Sequence, residues 1–170
     1  MPDTIATKRL RLRAPDLADA AALQQLANNK TIHKFLARLP HPYTKEHALD
    51  FITNLARTKD EHAYAILTRS GEFIGVIGLH LNRDNGPELG YWLGQPYWGQ
   101  GYASEAARAL VSAASQAGYS TIFARSISAN KGSICVLAKV GFVQTAEGID
   151  NCGQHQGVCV ARFRWEKSHE

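Results

Sequence analysis

The chain has 170 residues, 45% hydrophobic and 20% charged, with a formal net charge of +4. Those values suit a single folded domain over residues 1–170 with one sizeable core, and they exclude a disordered chain. The mild positive excess favours anionic ligands, yet no run of Lys and Arg is long enough to form a nucleic-acid patch.

Thr7–Arg13 alternates basic and apolar residues, the pattern of a half-exposed strand. Asp16 follows Pro15 and can open a helix over Leu17–Asn28, where Leu17, Ala20, Ala21 and Leu23 recur at helical spacing. After the proline-bearing loop Leu39–Tyr43, Thr44 can cap a second helix. His47 stands there where a capping box would place an acid, and the helix carries Ala48, Phe51, Ile52 and Leu55. The period then changes. His62–Thr68 and Phe73–Leu81 read as a hairpin joined at Ser70 and Gly71, Asn82–Pro87 as a turn, and Glu88–Leu93 as a further strand. Ala103–Ala117 reads as a helix ending at Gly118, and Ile122–Ser128 as a strand. A short helix Ser133–Val140 and the strands Phe142–Ile149 and Val158–Trp165 complete the chain. The pattern is α/β: a mixed α+β sheet of about seven strands with helices on both faces.

No apolar stretch approaches the roughly 18 residues of a membrane helix, and MPDTIATKRLRLRAPD lacks the apolar core of a secretory signal. The expected location is therefore cytoplasmic, with no membrane partner. Cys135, Cys152 and Cys159 are odd in number and irregular in spacing, so they suggest thiols rather than a disulfide framework. His33, His41, His47, His155 and His169 fall at no metal-ligand spacing, and no metal is expected.

The stretch Gly90–Ser104 is the most informative. It contains no charged residue and runs from a strand, through a turn with Gly94, Gly99 and Gly101, into the first turn of a long helix. The opening amides of a helix have no internal partner and lie at the positive end of its dipole. Glycines before them let a phosphate oxygen reach the backbone, so the segment can cradle a pyrophosphate. The same glycines would also suit a tight turn with no ligand. A P-loop is excluded because Gly-Lys-Ser/Thr is absent. A dinucleotide fingerprint is excluded because Ser104 stands at the third position after Gly101 and Ile122–Ser128 carries no acid. Tyr91, Trp92, Tyr97, Trp98 and Tyr102 lack interleaved basic residues, which argues for a cofactor groove over stacked bases and against a nucleic-acid partner.

Tyr97-Trp-Gly-Gln-Gly-Tyr-Ala-Ser-Glu-Ala106 resembles the acyl-CoA-binding motif of the GNAT superfamily of N-acetyltransferases, above all the Rim-type ribosomal-protein N-terminal acetyltransferase branch. Trp98 stands where the general motif has Arg or Gln, a departure usual in that branch. Leu39–Thr44 resembles the branch's substrate-side loop and Glu88–Leu93 its fourth strand. Asn130-Lys-Gly-Ser133 with Gly141 and Phe142 resembles its second CoA-facing motif. The likeness runs from Thr7 to Trp165.

The resemblance implies a mostly antiparallel twisted sheet whose fourth and fifth strands splay, and direct acetyl transfer from acetyl-CoA to a primary amine. It implies CoA contacts from Gly99, Gln100, Gly101, Tyr102, Ala103, Ser104, Asn130 and Ser133. Main-chain groups of Tyr91, Trp92 and Leu93 would pair with the pantetheine arm, and an N–H near Leu93 would face the thioester oxygen. Glu88 is the first candidate for the general base, with Gly90 leaving open space beside it, and His80 is the alternative. A strand-end carboxylate and a partly buried histidine are the structural readings of the same residues. The Tyr that many relatives place four residues before Gly-Phe is Leu137 here, and Ser133 would stand in by hydrogen-bonding the leaving thiolate. Asn130 and Ser133 also suit helix capping.

The acceptor would lie among Ala27–Tyr43, Leu81–Glu88 and Ile149–Val158, with His33, Arg38, Asp84 and Asp150 tuning that surface. A protein N-terminus is the implied acceptor. A small-molecule amine, or a weakly catalytic CoA-binding module, are the alternatives. A homodimer is compatible with the branch.

Overall fold

The computed structural model describes residues 1–81 and 85–168, so Asp84, part of the Asn82–Pro87 turn and His169 lie outside the described residues. Eight strands form one sheet: β1 (Thr4–Ala6), β2 (Leu10–Arg13), β3 (Glu61–Thr68), β4 (Phe73–His80), β5 (Glu88–Leu93), β6 (Thr121–Ile127), β7 (Val143–Ile149) and β8 (Cys159–Glu166). Their order is β1-β2-β3-β4-β5-β6-β8-β7. All neighbours are antiparallel except β5 and β6.

The strand expected at Thr7–Arg13 is the shorter β2, and β1 before it has no counterpart in the sequence reading. Thr7 Oγ1 accepts from Leu10 N at 2.9 Å and turns the chain back on itself, which adds one strand to the count read from the sequence. Asp16 and Asp19 form a reciprocal cap on a 3-10 turn, Leu17–Asp19, that leads into α1 (Ala20–Ala27). α2 (Lys30–Phe35) went unread in the sequence. Its cap is Asn29, whose side chain accepts from Thr31 N and Ile32 N. α3 (Lys45–Asp50) opens with the Thr44–His47 box: His47 Nδ1 accepts from Thr44 N at 3.1 Å, so an imidazole lone pair does the work of a carboxylate. A π-helical turn, Phe51–Leu55, continues it. α4 (Tyr102–Gln116) and α5 (Lys131–Val140) follow, the latter closed by left-handed Gly141.

Strand alternation divides the core into two layers. Tyr64, Ile66, Ile77, Leu79, Leu89 and Leu93 face α4, which buries Ala106, Ala107, Leu110, Val111 and Ala114 against them. Ala63, Ala65, Leu67, Phe73 and Val76 face α1 and α3 on the other side. Leu110 is fully buried, and its truncation to Ala would cost about 2–5 kcal/mol.

On the α4 face, His62 Nε2 lies 2.7 Å from Arg57 Nη1 and 3.1 Å from Tyr64 Oη. Burial, then the Arg57 charge, pushes its pKa down to about 4. The unfolded chain therefore binds a proton near the ordinary histidine value that the folded chain refuses. Stability should fall as pH drops from about 6.5 towards about 4. Melting temperatures of wild type and His62→Gln across that window check this: the variant should show the shallower acid slope.

Candidate active site

A 3-10 turn, Gln95–Tyr97, carries the chain from β5 to α4. Gly99 (φ +74°) and Gly101 (φ +80°) then adopt left-handed conformations. The helix begins at Tyr102 without a side-chain cap. As a result, the N–H groups of residues 99–104 have no hydrogen-bond partner among the described residues. Several amides aimed from one helix terminus form a positive cradle. A Cβ at Gly99 would meet nothing within 4 Å, so this approach is open.

The cradle is fixed from the other end of the chain. Glu105 Oε1 accepts from Thr7 Oγ1 at 2.6 Å and Arg9 N at 2.8 Å, and Oε2 accepts from Arg9 Nε at 2.7 Å. Arg9 Nη1 donates to Gln100 O at 2.9 Å, and its guanidinium lies 4.5 Å from the Tyr102 ring centroid. Burial works against the Glu105 carboxylate, but the hydrogen bonds from Thr7 and Arg9 outweigh it and hold its pKa below the ordinary value. Gln100 Nε2 closes the turn on Pro96 O at 3.1 Å. Ala103 is half-buried and Ser104 buried in the first turn. Sequence reading missed Arg9, because a pairing across 96 positions leaves no local signal.

β5 and β6 pair only at Glu88–Phe123 and Leu89–Ala124, then diverge. Gly94 N bonds Ile74 O, which fixes the ladder's phase: Trp92 directs its amide and carbonyl at β4, while Tyr91 and Leu93 direct theirs toward β6. Trp98 Nε1 takes Leu93 O at 2.8 Å. Trp92, named with its neighbours for main-chain pairing, instead packs its ring near Phe73 at 6.4 Å between centroids. A cleft of about 1250 Å³ occupies the gap and runs from Gly99 and Gly101 past Tyr91 to Glu88.

Across this gap Tyr91 Oη meets Ser133 Oγ at 2.8 Å. Burial pushes the Tyr91 phenol up to about 12, which keeps it protonated beside Ser133. Asn130 caps α5 by accepting from Ser133 N at 3.2 Å. Leu137, where many relatives carry a Tyr, is buried in the core.

At the far end of the cleft, charged side chains form a row across four strands. Glu61 Oε2 bonds His80 Nδ1, and His80 stands opposite Glu88. Glu88 Oε1 lies 3.3 Å from Arg125 Nε, and Arg125 Nη1 reaches both Asp150 oxygens at 3.3 Å. Arg125 Nη2 donates to Cys152 Sγ at 3.1 Å. Asp150, expected on the acceptor surface, is thus a buried partner of Arg125. The space expected beside Gly90 is taken by the His80 ring.

Leu36 and Ala37, which line the cleft, are held from a distant segment: Gln154 N donates to Ala37 O at 3.1 Å, and Gln154 Nε2 reaches His33 O and Leu36 O. Arg38 lines the cleft. His33 is held through Nδ1 to Leu39 O at 2.6 Å, and its ring lies tilted against His41 at 5.2 Å between centroids.

Residues 9–143 match the acetyltransferase (GNAT) domain family. The chain is 31% identical over 114 residues to the uncharacterized N-acetyltransferase p20 of Bacillus licheniformis, a match that spans 64% of each chain and so just under two thirds of that relative. YkkB of Bacillus subtilis is 27% identical over 146 residues, 81% of this chain and 83% of its own. Among solved structures, RimL, a ribosomal L7/L12 α-N-protein acetyltransferase in complex with coenzyme A, superposes with a TM-score of 0.84 at 21% identity over 96% of this chain and 97% of its own. The microcin C7 self-immunity acetyltransferase MccE, in complex with acetyl-CoA and AMP, gives 0.84 at 19% identity over 98% of both chains.

The left-handed turn has a stability signature. Gly101→Ala forces a β-carbon into φ +80° and should destabilise the fold by about 1–2 kcal/mol, read from urea denaturation.

Proposed function

The chain belongs to the GNAT acetyltransferase family, and from that premise we propose that it moves an acetyl group from acetyl-CoA to a primary amine by direct transfer. The observation that carries this reading is the set of unpartnered amides at residues 99–104, open to the gap between β5 and β6. A diphosphate fits that cradle, and an extended pantetheine arm fits a gap edged by the Tyr91 main chain and the Leu93 N–H, which β4 does not bond.

The residues then take distinct roles. Amides of Gly99, Gln100, Gly101, Tyr102, Ala103 and Ser104 hold the diphosphate. Tyr91 and Leu93 present main chain to the arm, and the Leu93 N–H steadies the oxyanion that develops on the thioester carbonyl. Trp92 shapes the opposite wall. Asn130 holds the start of α5, so that Ser133, supported by Tyr91, hydrogen-bonds the departing thiolate. Glu88, with His80 beside it, forms the corner where the ammonium is drawn in and deprotonated.

For the acceptor we favour a protein N-terminal α-amine of ribosomal-protein type. The overall likeness to RimL supports it, together with a large open cleft lined by Leu36 and Ala37, which Gln154 holds. This reading places the acetyltransferase domain in the cytoplasm, and a homodimer is compatible with it. Acetyl-CoA turnover, read as thiol release with N-terminal peptides beside polyamines and aminoglycosides, selects among the acceptors. Coenzyme A binding without turnover on any of them would instead indicate a weakly catalytic binding module. Glu88→Gln should lower kcat by about tenfold or more while coenzyme A affinity stays near that of wild type. Unchanged kcat removes Glu88 from the chemistry.

A further inference from the structure

Resting on that acetyltransferase reading, we propose that His80 is the group that takes the proton from the acceptor amine, and that Glu61 is the positioning residue that aims it. Glu61, His80 and Glu88 are direct cross-strand neighbours on β3, β4 and β5. They share the sheet face that carries Ala63 and Val76, and all three line the cleft.

Two independent geometric facts orient the imidazole. His80 Nδ1 bonds the Glu61 carboxylate. An ionised carboxylate only accepts, so Nδ1 carries the hydrogen and Nε2 of the neutral ring keeps its lone pair. That Nε2 lies 2.9 Å from where a Cβ of residue 90 would be, with Cδ2 at 3.5 Å. The basic edge of the ring therefore rests over the bare backbone of Gly90. This is the residue just after the last β5–β6 pair, Leu89–Ala124, and just before Tyr91, whose main chain faces the gap. Any side chain at position 90 would displace the ring. His80 is 34% exposed at its side chain, so an incoming amine can reach it.

Glu88 is suited to a different task. Its Oε1 faces Arg125, itself anchored by Asp150 and Cys152. Among the described residues, the charged groups around His80 are thus Glu61 from β3 and Glu88 from β5, with Arg125 of β6 beyond Glu88 and Asp60 before β3 on the cleft wall. Glu88 attracts the ammonium, and His80 receives its proton.

The step balances. Nε2 takes one proton from R–NH₃⁺, giving the free amine and an imidazolium that faces Glu61. The nitrogen lone pair forms the C–N bond to the thioester carbonyl carbon. The C–S bond breaks with its electron pair on sulfur, and the thiolate takes the second nitrogen proton. The imidazolium then releases its proton to water.

The test compares wild type with His80→Asn and Glu61→Gln, using coenzyme A for binding and the most active amine of the acceptor panel for turnover. His80→Asn should lower kcat by about a hundredfold, with coenzyme A affinity within about twofold of wild type. Glu61→Gln should lower kcat by about tenfold and shift the acidic limb of the pH–rate profile, which a purely structural role would leave in place. Long-range ¹H–¹⁵N NMR of wild-type protein without ligand should show His80 protonated at Nδ1 above pH 7.5. A kcat in folded His80→Asn within about threefold of wild type overturns the proposal, as does an Nε2–H tautomer in the NMR spectrum. Failure of wild type to bind coenzyme A overturns the parent reading, and this one with it, by a separate signal.

Discussion

β5 and β6 run parallel and bond through two residue pairs before they part. Other interior neighbours, such as β3 with β4 and β6 with β8, pair over seven positions each, whereas here the backbone is left open to a cleft that a ligand can enter. The phase of the β4–β5 ladder decides which groups wait there: Tyr91 and Leu93 face the opening, and Trp92 does not. Immediately beyond, the chain turns through Gly99 and Gly101 and starts α4 with more unbonded amides. The two sets of open backbone are separated only by the turn at 94–98 and border one cleft. A ligand that is an anion at one end and an extended amide chain along the rest satisfies both.

The cradle would be soft if only the glycines shaped it. Glu105 prevents that by accepting three hydrogen bonds from Thr7 and Arg9, which ties α4 to the N-terminal hairpin. An acid in the first turn would also repel a phosphate. Arg9 neutralises it at 2.7 Å and keeps the field at the helix start positive. The polar row from Glu61 to Asp150 plays the matching role at the other end, where Glu61 holds His80, and Arg125 lies between Glu88 and Asp150. The proposed diphosphate and amine sites thereby lie at opposite ends of one cleft.

Much of this was legible in the sequence where the signal is local. The Gly99–Ser104 turn, the Glu88–Leu93 strand and the face shared by Glu88 and Gly90 follow from residue type and alternation alone. α2 was missed because six residues give too short a period, although Asn29 is a good cap. The second strand was started at Thr7 rather than Leu10, and β1 was not read, because alternation does not reveal that the Thr7 hydroxyl folds the chain back. Arg9–Glu105, Tyr91–Ser133 and Gln154 with the Ala37 segment all join residues more than 40 positions apart. No pattern along one chain encodes them. His80 showed the same limit: its type suggested a base, but only the register with Glu61 and Gly90 fixes where its nitrogens point.

The central claim is that main-chain amides at residues 99–104 grip the diphosphate of coenzyme A. Titration of ¹⁵N-labelled protein with coenzyme A, followed by amide chemical shifts, reads those groups one by one. The account predicts the largest shifts at Gly99, Gly101, Tyr102, Ala103 and Ser104, followed by Tyr91 and Leu93. Saturable binding that leaves those resonances in place and moves amides elsewhere would contradict it.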